Sequence, residues 1–395
     1  MSHRYRLVLA PGQEAGLLEH CRHARFVWNL AVEQHQYWRP GRAAAPGLAE
    51  QCRQLTDARA AFNWLASGSV TVQQQALRDF HQAMRRFYTG TSRRPGWRKM
   101  GTHEGFRQVG LRADHVRRLN RGNGRVWVPK IGWVRFRWSR AVPANVKSYR
   151  VTRDVAGRWH IVFASRPEPI LAPGNGQTVG VDRGVVVSAA LSTGDLLYCP
   201  ATPTNARRRL VRLQRKLARG CLRSNRRRRV KVAVAKMHAR TRDRRRDWVE
   251  KTSTDLARRF DVIRVENLTV ANMTRSAKGT AAEPGHRVRQ KAGLNRAILA
   301  AGWGHLVSRL EHKAPGRVEK INPAYTSQQC SRCGHVAAES RESQAVFRCR
   351  SCGFECNADV NAARNIAAGR AVNARGGDRV AGPVSREPQL VTSAT

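Results

Sequence analysis

Four cysteines in the pattern C-x2-C-x15-C-x2-C, namely Cys330, Cys333, Cys349 and Cys352, constrain this chain more tightly than any other feature. Soft thiolates at this spacing converge on one tetrahedral ion. Gly334 and Gly353, one after each pair, permit the tight turns that aim both sulfurs of a pair inward. The pattern predicts a structural zinc ribbon over 330–353, because four sulfurs leave the ion no open position for chemistry. Cys356 reads as a buried structural thiol, with competition as a ligand the alternative, and Cys21, Cys52, Cys199 and Cys221 lack pair spacing and receive no role. Nine cysteines with metal spacing in four of them suit a reducing compartment better than a disulfide scaffold.

The ribbon sits in a chain with 73 Lys+Arg against 27 Asp+Glu, a net charge of +46 over 395 residues. Such a surplus repels itself unless a polyanion neutralises it, so a phosphate backbone is the expected partner. Arginine, abundant here, grips phosphates with a planar fork and stacks on bases, which suits structured nucleic acid. No run of about 20 apolar residues predicts a membrane span. Met1-Ser-His-Arg-Tyr-Arg leads into a strand-like pattern rather than the apolar core of a signal peptide, and a soluble cytoplasmic protein is expected.

Residues 4–9 alternate as a half-buried strand, and Pro11-Gly12 punctuates before a helical stretch carrying Leu17, Leu18, Cys21, Phe26, Val27 and Leu30. Leu77, Phe80, Met84 and Phe87, spaced three, four and three apart, predict a second amphipathic helix. Residues 12–120 are therefore expected to be mainly helical. From Arg125 the period changes to two: 126–128, 133–138, 149–154 and 158–163 predict antiparallel strands that can pair with strand 4–9. The simplest architecture is a small β-barrel, 1–11 and 121–170, interrupted by a helical insertion. Residues 167–177, rich in proline and glycine, read as a linker. After it come strands turning at Arg183-Gly184 and Thr193-Gly194, a very basic helical hairpin over 203–259, a strand ending at Glu266, a helix over 294–313 and a strand over 316–321. Residues 369–395 are expected to be a mobile basic tail. The fold class is α+β, in several domains.

Three acids stand out at element ends: Asp182 before a turn, Glu266 at the end of a strand, Asp359 at the start of a helix. Singly, each has a structural alternative, as a turn cap, a helix cap, or an N-cap pair of Asp359 with Asn361. Together, in this order of elements, they match a ribonuclease-H-like arrangement in which carboxylates converge on two divalent ions about 4 Å apart. Hard oxygen donors favour Mg2+ or Mn2+. Trp97, Trp127, Trp133, Trp138 and Trp159 alternate with arginines and are read as core first and base-stacking second, while Arg107 and Gln108 are weaker candidates for phosphate contact.

The order of G-V-D-R-G (180–184), V-E-N-L (265–268), P-A-Y-T-S-Q-Q-C-S-R-C-G (323–334), C-R-S-C-G (349–353) and A-D-V-N-A-A-R-N-I (358–366) resembles the RuvC-like nuclease half of transposon-encoded TnpB proteins and of the compact type V CRISPR effectors. R-F-V-W-N (25–29), Gln73-Gln-Gln-Ala-Leu and P-K-I-G-W-V-R-F (129–136) resemble that family's recognition lobe and wedge barrel more loosely. The resemblance implies a RuvC-like domain split over 176–329 and 354–368, a wedge barrel and a helical recognition lobe. It implies an RNA-guided DNA endonuclease: a guide RNA pairs with double-stranded target DNA beside a short flanking motif, and one site cuts both strands. Asp182, Glu266 and Asp359 would be its catalytic, Mg2+-binding acids. The implied state is a monomer on its guide, a dimer being the alternative, in a prokaryotic, nucleoid-associated setting. A guide-dependent regulator without cleavage and a strand-transfer transposase are the competing functions.

Overall fold

A computed structural model describes residues 2–37, 41, 44–102, 104–144, 146–165 and 168–369, so the tail expected beyond 369 lies outside the described residues. It divides into two units, Met1–Pro169 with Pro200–Asp247, and Ile170–Cys199 with Trp248–Thr395.

In the first unit, strand β1 (Ser2–Val8) precedes helices α1 (Gln13–Gln36), α2 (Leu48–Ala61), α3 (Asn63–Ala66) and α4 (Val70–Tyr88). Strands β2 (Gly105–Val109), β3 (Val116–Asn120), β4 (Asn123–Val128), β5 (Gly132–Arg137), β6 (Ser148–Arg153) and β7 (Trp159–Ala164) follow. They form one antiparallel sheet in the order β2-β6-β7-β1-β5-β4-β3. β1 pairs with β7 along Ser2–Arg6 and with β5 at Leu7 and Val8, and so joins the two halves of the sheet. Its inward Tyr5 packs edge-on against Phe136 and Phe163 at 5.4 and 5.5 Å. The apolar faces of α1 and α4, with Leu17, Val27, Leu77 and Phe80, enter the same core.

The helical span is shorter than 12–120. Helix ends at Tyr88, and β2 and β3 lie within that span as the two edges of the sheet. Their pattern hides them from periodicity: β2 turns a polar Gln108 inward beside Phe106, and β3, Val-Arg-Arg-Leu-Asn, is exposed along most of its length, as charged edge strands are. The basic hairpin forms as helices α5 (Thr204–Ala218) and α6 (Asn225–Arg259). A groove of about 560 Å³ between them is rimmed by Arg209, Arg228, Arg229, Lys236 and Arg240 over an apolar floor that includes Leu213 and Met237.

The second unit holds β8 (Thr178–Asp182), β9 (Ala189–Leu191), β10 (Leu196–Leu197), β11 (Val262–Glu266), α7 (Val270–Met273), α8 (Val288–Ala301), α9 (Trp303–Lys313), β12 (Val318–Ile321), β13 (Val346–Arg348), β14 (Glu355–Asn357) and α10 (Ala358–Ala367). The sheet order is β10-β9-β8-β11-β12, with β8, β11 and β12 mutually parallel and β9 antiparallel to both its neighbours. One face, carrying Val179, Val181, Ile263 and Val265, packs on Leu256 of α6, on Phe260 just after it, and on Leu306 and Leu310 of α9. The helix expected over 294–313 is two helices, because Gly302 at φ 75° ends α8 and starts α9. The stretch read as a linker is partly fixed: the Gly174 and Gly176 N–H groups donate to the Asp261 carboxylate at 2.8 and 2.5 Å.

Candidate functional site

The opposite face of the second unit's sheet receives α10, and one residue sets how closely. A Cβ added to Gly180 would lie 2.0 Å from the Ala363 carbonyl oxygen and 2.4 Å from the Ala367 nitrogen, so only glycine lets the helix backbone rest on β8. Gly180 and Asp182 are two apart on a strand and share that face. Val265 of β11 stands opposite Val181 in parallel register, which puts Glu266 beside Asp182. α10 is capped by Asn357, whose side chain accepts from the Asp359 and Val360 N–H groups at 3.0 and 3.2 Å. Asp359 is thus not the cap, and its Oδ2 lies 3.9 Å from where a Cβ of Gly184 would stand, just past Asp182. At the other end of α10, Arg264 of β11 bonds the Ala367 carbonyl at 2.5 Å and Glu319 at 2.7 Å.

Gly180→Ala tests this seating. Forcing the helix backbone off the strand should cost about 1–3 kcal/mol, and a shift of about 1 Å at Asp359 should slow any chemistry of the site by about 10²-fold. Thermal unfolding and cleavage rate check both; wild-type values for the variant would show that α10 can slide without consequence.

Asp182 feels the other two acids. Burial, then the neighbouring Glu266 and Asp359 carboxylates, push the Asp182 carboxyl up to about 8, against a weaker downward pull from Arg341. Burial likewise raises Asp359, opposed by Arg341, whose guanidinium pairs with Asp359 Oδ1 at 3.0 Å. Glu266 is buried and accepts a hydrogen bond from the Thr326 hydroxyl at 2.7 Å, while Arg183, itself buried, donates to the Glu266 main-chain carbonyl. The carboxylates are not drawn as tight as the cysteines: among the described residues the four cysteines alone form a group of ligating atoms all within 4.8 Å. Like charges held this near, with one arginine against one of them, are a donor set that a divalent cation would neutralise.

The cysteines fit an ion by distance. Cys330 and Cys352 sulfurs are 3.8 Å apart and those of Cys333 and Cys349 3.6 Å; a tetrahedron with Zn–S near 2.3 Å requires about 3.8 Å. Both pairs make the same turn. Gly334 N–H donates to Cys330 O and Gly353 N–H to Cys349 O, at 2.9 and 3.1 Å, with both glycines at positive φ. Cys356 is half-buried on β14 and packs beside Cys330 and Phe347.

The other candidates divide by burial and pairing. Arg107 and Arg150 both pair with Asp79, and Gln108 is buried. Trp159 is core, whereas Trp133 lies under Arg117 and Arg125 at 5.0 and 4.5 Å and Trp97 and Trp127 are exposed. Arg341 escaped the sequence reading, Gly180, Thr326 and Asn365 appeared there only within motifs, and Asn361, read as a cap partner of Asp359, is instead buried against the 323–331 segment. The asparagines did carry a signal, since Asn357, Asn361 and Asn365 recur every four residues along one helix face.

Residues 303–366 match the family described as "Cas12f1-like, TNB domain", 160–277 the family "Probable transposase", and 1–41 a "Helix-turn-helix domain" family. Among the described residues that last span holds strand β1 and one helix, α1. The putative RNA-guided DNA endonuclease InsQ of Escherichia coli (strain K12) is 35% identical over 404 residues, covering 99% of this chain and 98% of its own length. A putative RNA-guided DNA endonuclease of Streptomyces pristinaespiralis is 30% identical over 94% of this chain and 90% of its own. Among solved structures, a Cas12f1–sgRNA–target DNA complex shares the fold, with TM-score 0.53 and 13% identity over 91% of this chain and 83% of that one. The chain therefore belongs to the TnpB/InsQ family of RNA-guided DNA endonucleases.

Proposed function

We propose that this chain is an RNA-guided DNA endonuclease whose phosphodiester cleavage is carried out at Asp182, Glu266 and Asp359 on divalent metal, Mg2+ or Mn2+, with Zn2+ holding the cysteine ribbon. The observation that carries the reading is the placement of three acids at one end of a mixed sheet, with Glu266 beside Asp182 in parallel register and Asp359 on the helix seated over Gly180, where burial first and the Glu266 and Asp359 charges second push Asp182 up to about 8. When bound, the metal supplies charge neutralisation at the attacked phosphate and a lowered proton affinity for water. The chain's own part is to hold three carboxylates from a strand, its neighbour and a helix in one orientation, and to present the Arg341 guanidinium beside Asp359, where it can meet a phosphate oxygen.

The rest of the molecule suits a guide and its target. The cationic groove between α5 and α6 can follow a phosphate backbone, while base pairing to the guide reads sequence. In this reading the first unit's seven-stranded sheet takes the place of the wedge barrel, helices α1 to α4 that of the recognition lobe, and 176–329 with 354–368 that of the RuvC-like domain interrupted by the ribbon. Among the described residues no helix is long and apolar enough to cross a membrane. A guide-dependent regulator without cleavage would lack one of the acids, and all three are present.

The test is to express the chain with its native flanking DNA, purify it and sequence the RNA that accompanies it. A discrete RNA ending in a transposon end, or in a repeat and spacer, is expected; random cellular RNA would sink guidance. Affinity for that RNA should fall about 10³–10⁵-fold between 50 and 200 mM salt, as for proteins that neutralise six to ten phosphates. A flat salt response in a binding titration would contradict the basic-groove reading.

A further inference from the structure

The turn at 323–329 supplies none of the three acids, yet it touches Glu266, the helix that bears Asp359 and the first cysteine knuckle. Tyr325 is held at φ 59°, a left-handed conformation unfavourable for a bulky residue, although its side chain is exposed. The turn is closed by Gln328 and Gln329 N–H groups donating to Tyr325 O at 2.9 and 3.0 Å. Next to this strained residue, Thr326 is 1% exposed, and its hydroxyl reaches Glu266 Oε1 at 2.7 Å and Pro323 O at 3.1 Å. A hydroxyl has one proton, and the shorter, charge-assisted bond to the carboxylate takes it.

The same turn is gripped from α10. Asn365 Nδ2 donates to Thr326 O at 2.9 Å and to Gln329 O at 2.7 Å, and Asn361 Nδ2 also donates to Gln329 O at 2.7 Å. Asn361 Oδ1 accepts from the Ser331 N–H at 2.9 Å, beside Cys330. Both asparagines are essentially fully buried. Thr326 therefore sits where the helix bearing Asp359, the first cysteine knuckle and the Glu266 carboxylate meet.

We propose that Thr326 is a positioning residue for Glu266, and that through it the folded cysteine ribbon tunes the divalent-metal affinity of the three-acid site. The inference rests on the assignment of Asp182, Glu266 and Asp359 made above. One carboxylate oxygen of Glu266 is bound by Thr326, which fixes the plane of the group and leaves the other oxygen for the ion. Without the hydroxyl the carboxylate rotates, and the ion meets a ligand it must first order. Loss of such an orienting contact behind a metal ligand typically costs about 10–100-fold in metal affinity.

The test uses the full chain with its guide RNA. Mn2+ binding is followed by electron paramagnetic resonance, with the Asp182→Ala ribonucleoprotein as blank for RNA-bound ions, and the Mg2+ concentration for half-maximal cleavage is measured alongside. Thr326→Val should raise both metal constants by the same factor, about 10-fold or more, while cleavage at saturating metal, zinc content and guide binding stay near wild type. Thr326→Ser should restore the wild-type constants. In a Glu266→Ala background, where nothing remains for the hydroxyl to hold, Thr326→Val should shift any residual Mn2+ affinity no further. Wild-type metal constants for Thr326→Val, a serine variant behaving like valine, or full additivity with Glu266→Ala would overturn the proposal. Should Thr326→Val lose zinc or fold poorly, Thr326→Ala takes its place under the same criteria, and loss of fold in both would overturn a positioning role in favour of a structural one. Glu266→Ala separates the two levels: if it retains metal binding and cleavage, the three-acid assignment fails; if it loses them while Thr326→Val shifts nothing, only the present inference fails.

Discussion

Asp182→Asn is expected to reduce DNA cleavage by at least about 10³-fold while guide and target binding persist. Losing a carboxylate that would hold a divalent ion should remove several kcal/mol of charge stabilisation at the phosphate, and about 4 kcal/mol already corresponds to 10³. Binding should be spared because the phosphate grip is assigned to the groove of α5 and α6, whose lining includes none of the three acids. The same substitution should make the metal-free protein more stable, which a merely damaging mutation would not do. Asp182 lies up at about 8 from an ordinary 3.8, through burial and then the Glu266 and Asp359 charges. Between those pH values the folded state keeps a proton that the unfolded state releases, so this group's contribution to stability falls as pH rises across that window. Asparagine has no charge to lose, and its gain in melting temperature should be larger at pH 8 than at pH 5. Added Mg2+ should raise the melting temperature of the wild type and not of the variant. Cleavage by Asp182→Asn, or guided binding lost at unchanged folding, would remove Asp182 from the catalytic role.

The sequence showed the donors and withheld the geometry that makes them a site. Cysteine spacing is local chemistry, and both knuckles form with the glycines at positive φ as the pattern requires. The acids were legible as strand and helix ends, but their convergence depends on parallel register between β8 and β11, across 80 residues of chain, and on Gly180 admitting α10. Nothing in a single glycine between two valines announces a helix backbone above it. Arg341 and Thr326 belong to turns, where no period marks a residue, and they gain meaning only from what the fold sets against them. Edge strands β2 and β3 failed to announce themselves for a related reason. A strand shows alternation when one face is apolar and buried, and theirs carry Gln108 inward or arginines outward.

Cys333→Ser should have the opposite stability signature from Asp182→Asn: loss of zinc, loss of fold in the ribbon, and loss of cleavage together. Structural zinc at four thiolates is worth about 10–16 kcal/mol of folding free energy in isolated zinc peptides, and one serine leaves three sulfurs with an oxygen that binds the ion poorly. The damage does not stay in the ribbon. β14 runs directly into α10 at Asn357 and Ala358, so a melted hairpin frees the cap that aims Asp359. Upstream, Cys330 follows the turn that Asn361 and Asn365 hold and that carries Thr326 to Glu266. Two of the three acids are therefore oriented by segments that an ion held by the four cysteines would organise. The measurements are zinc per chain, protease cutting within 330–357, and cleavage rate. Expected are less than one zinc, new cuts in the ribbon and cleavage reduced to background, with guide RNA still bound by the α5–α6 hairpin. A soluble Cys333→Ser protein that resists protease and cleaves DNA normally would show that the four cysteines organise nothing the active site needs.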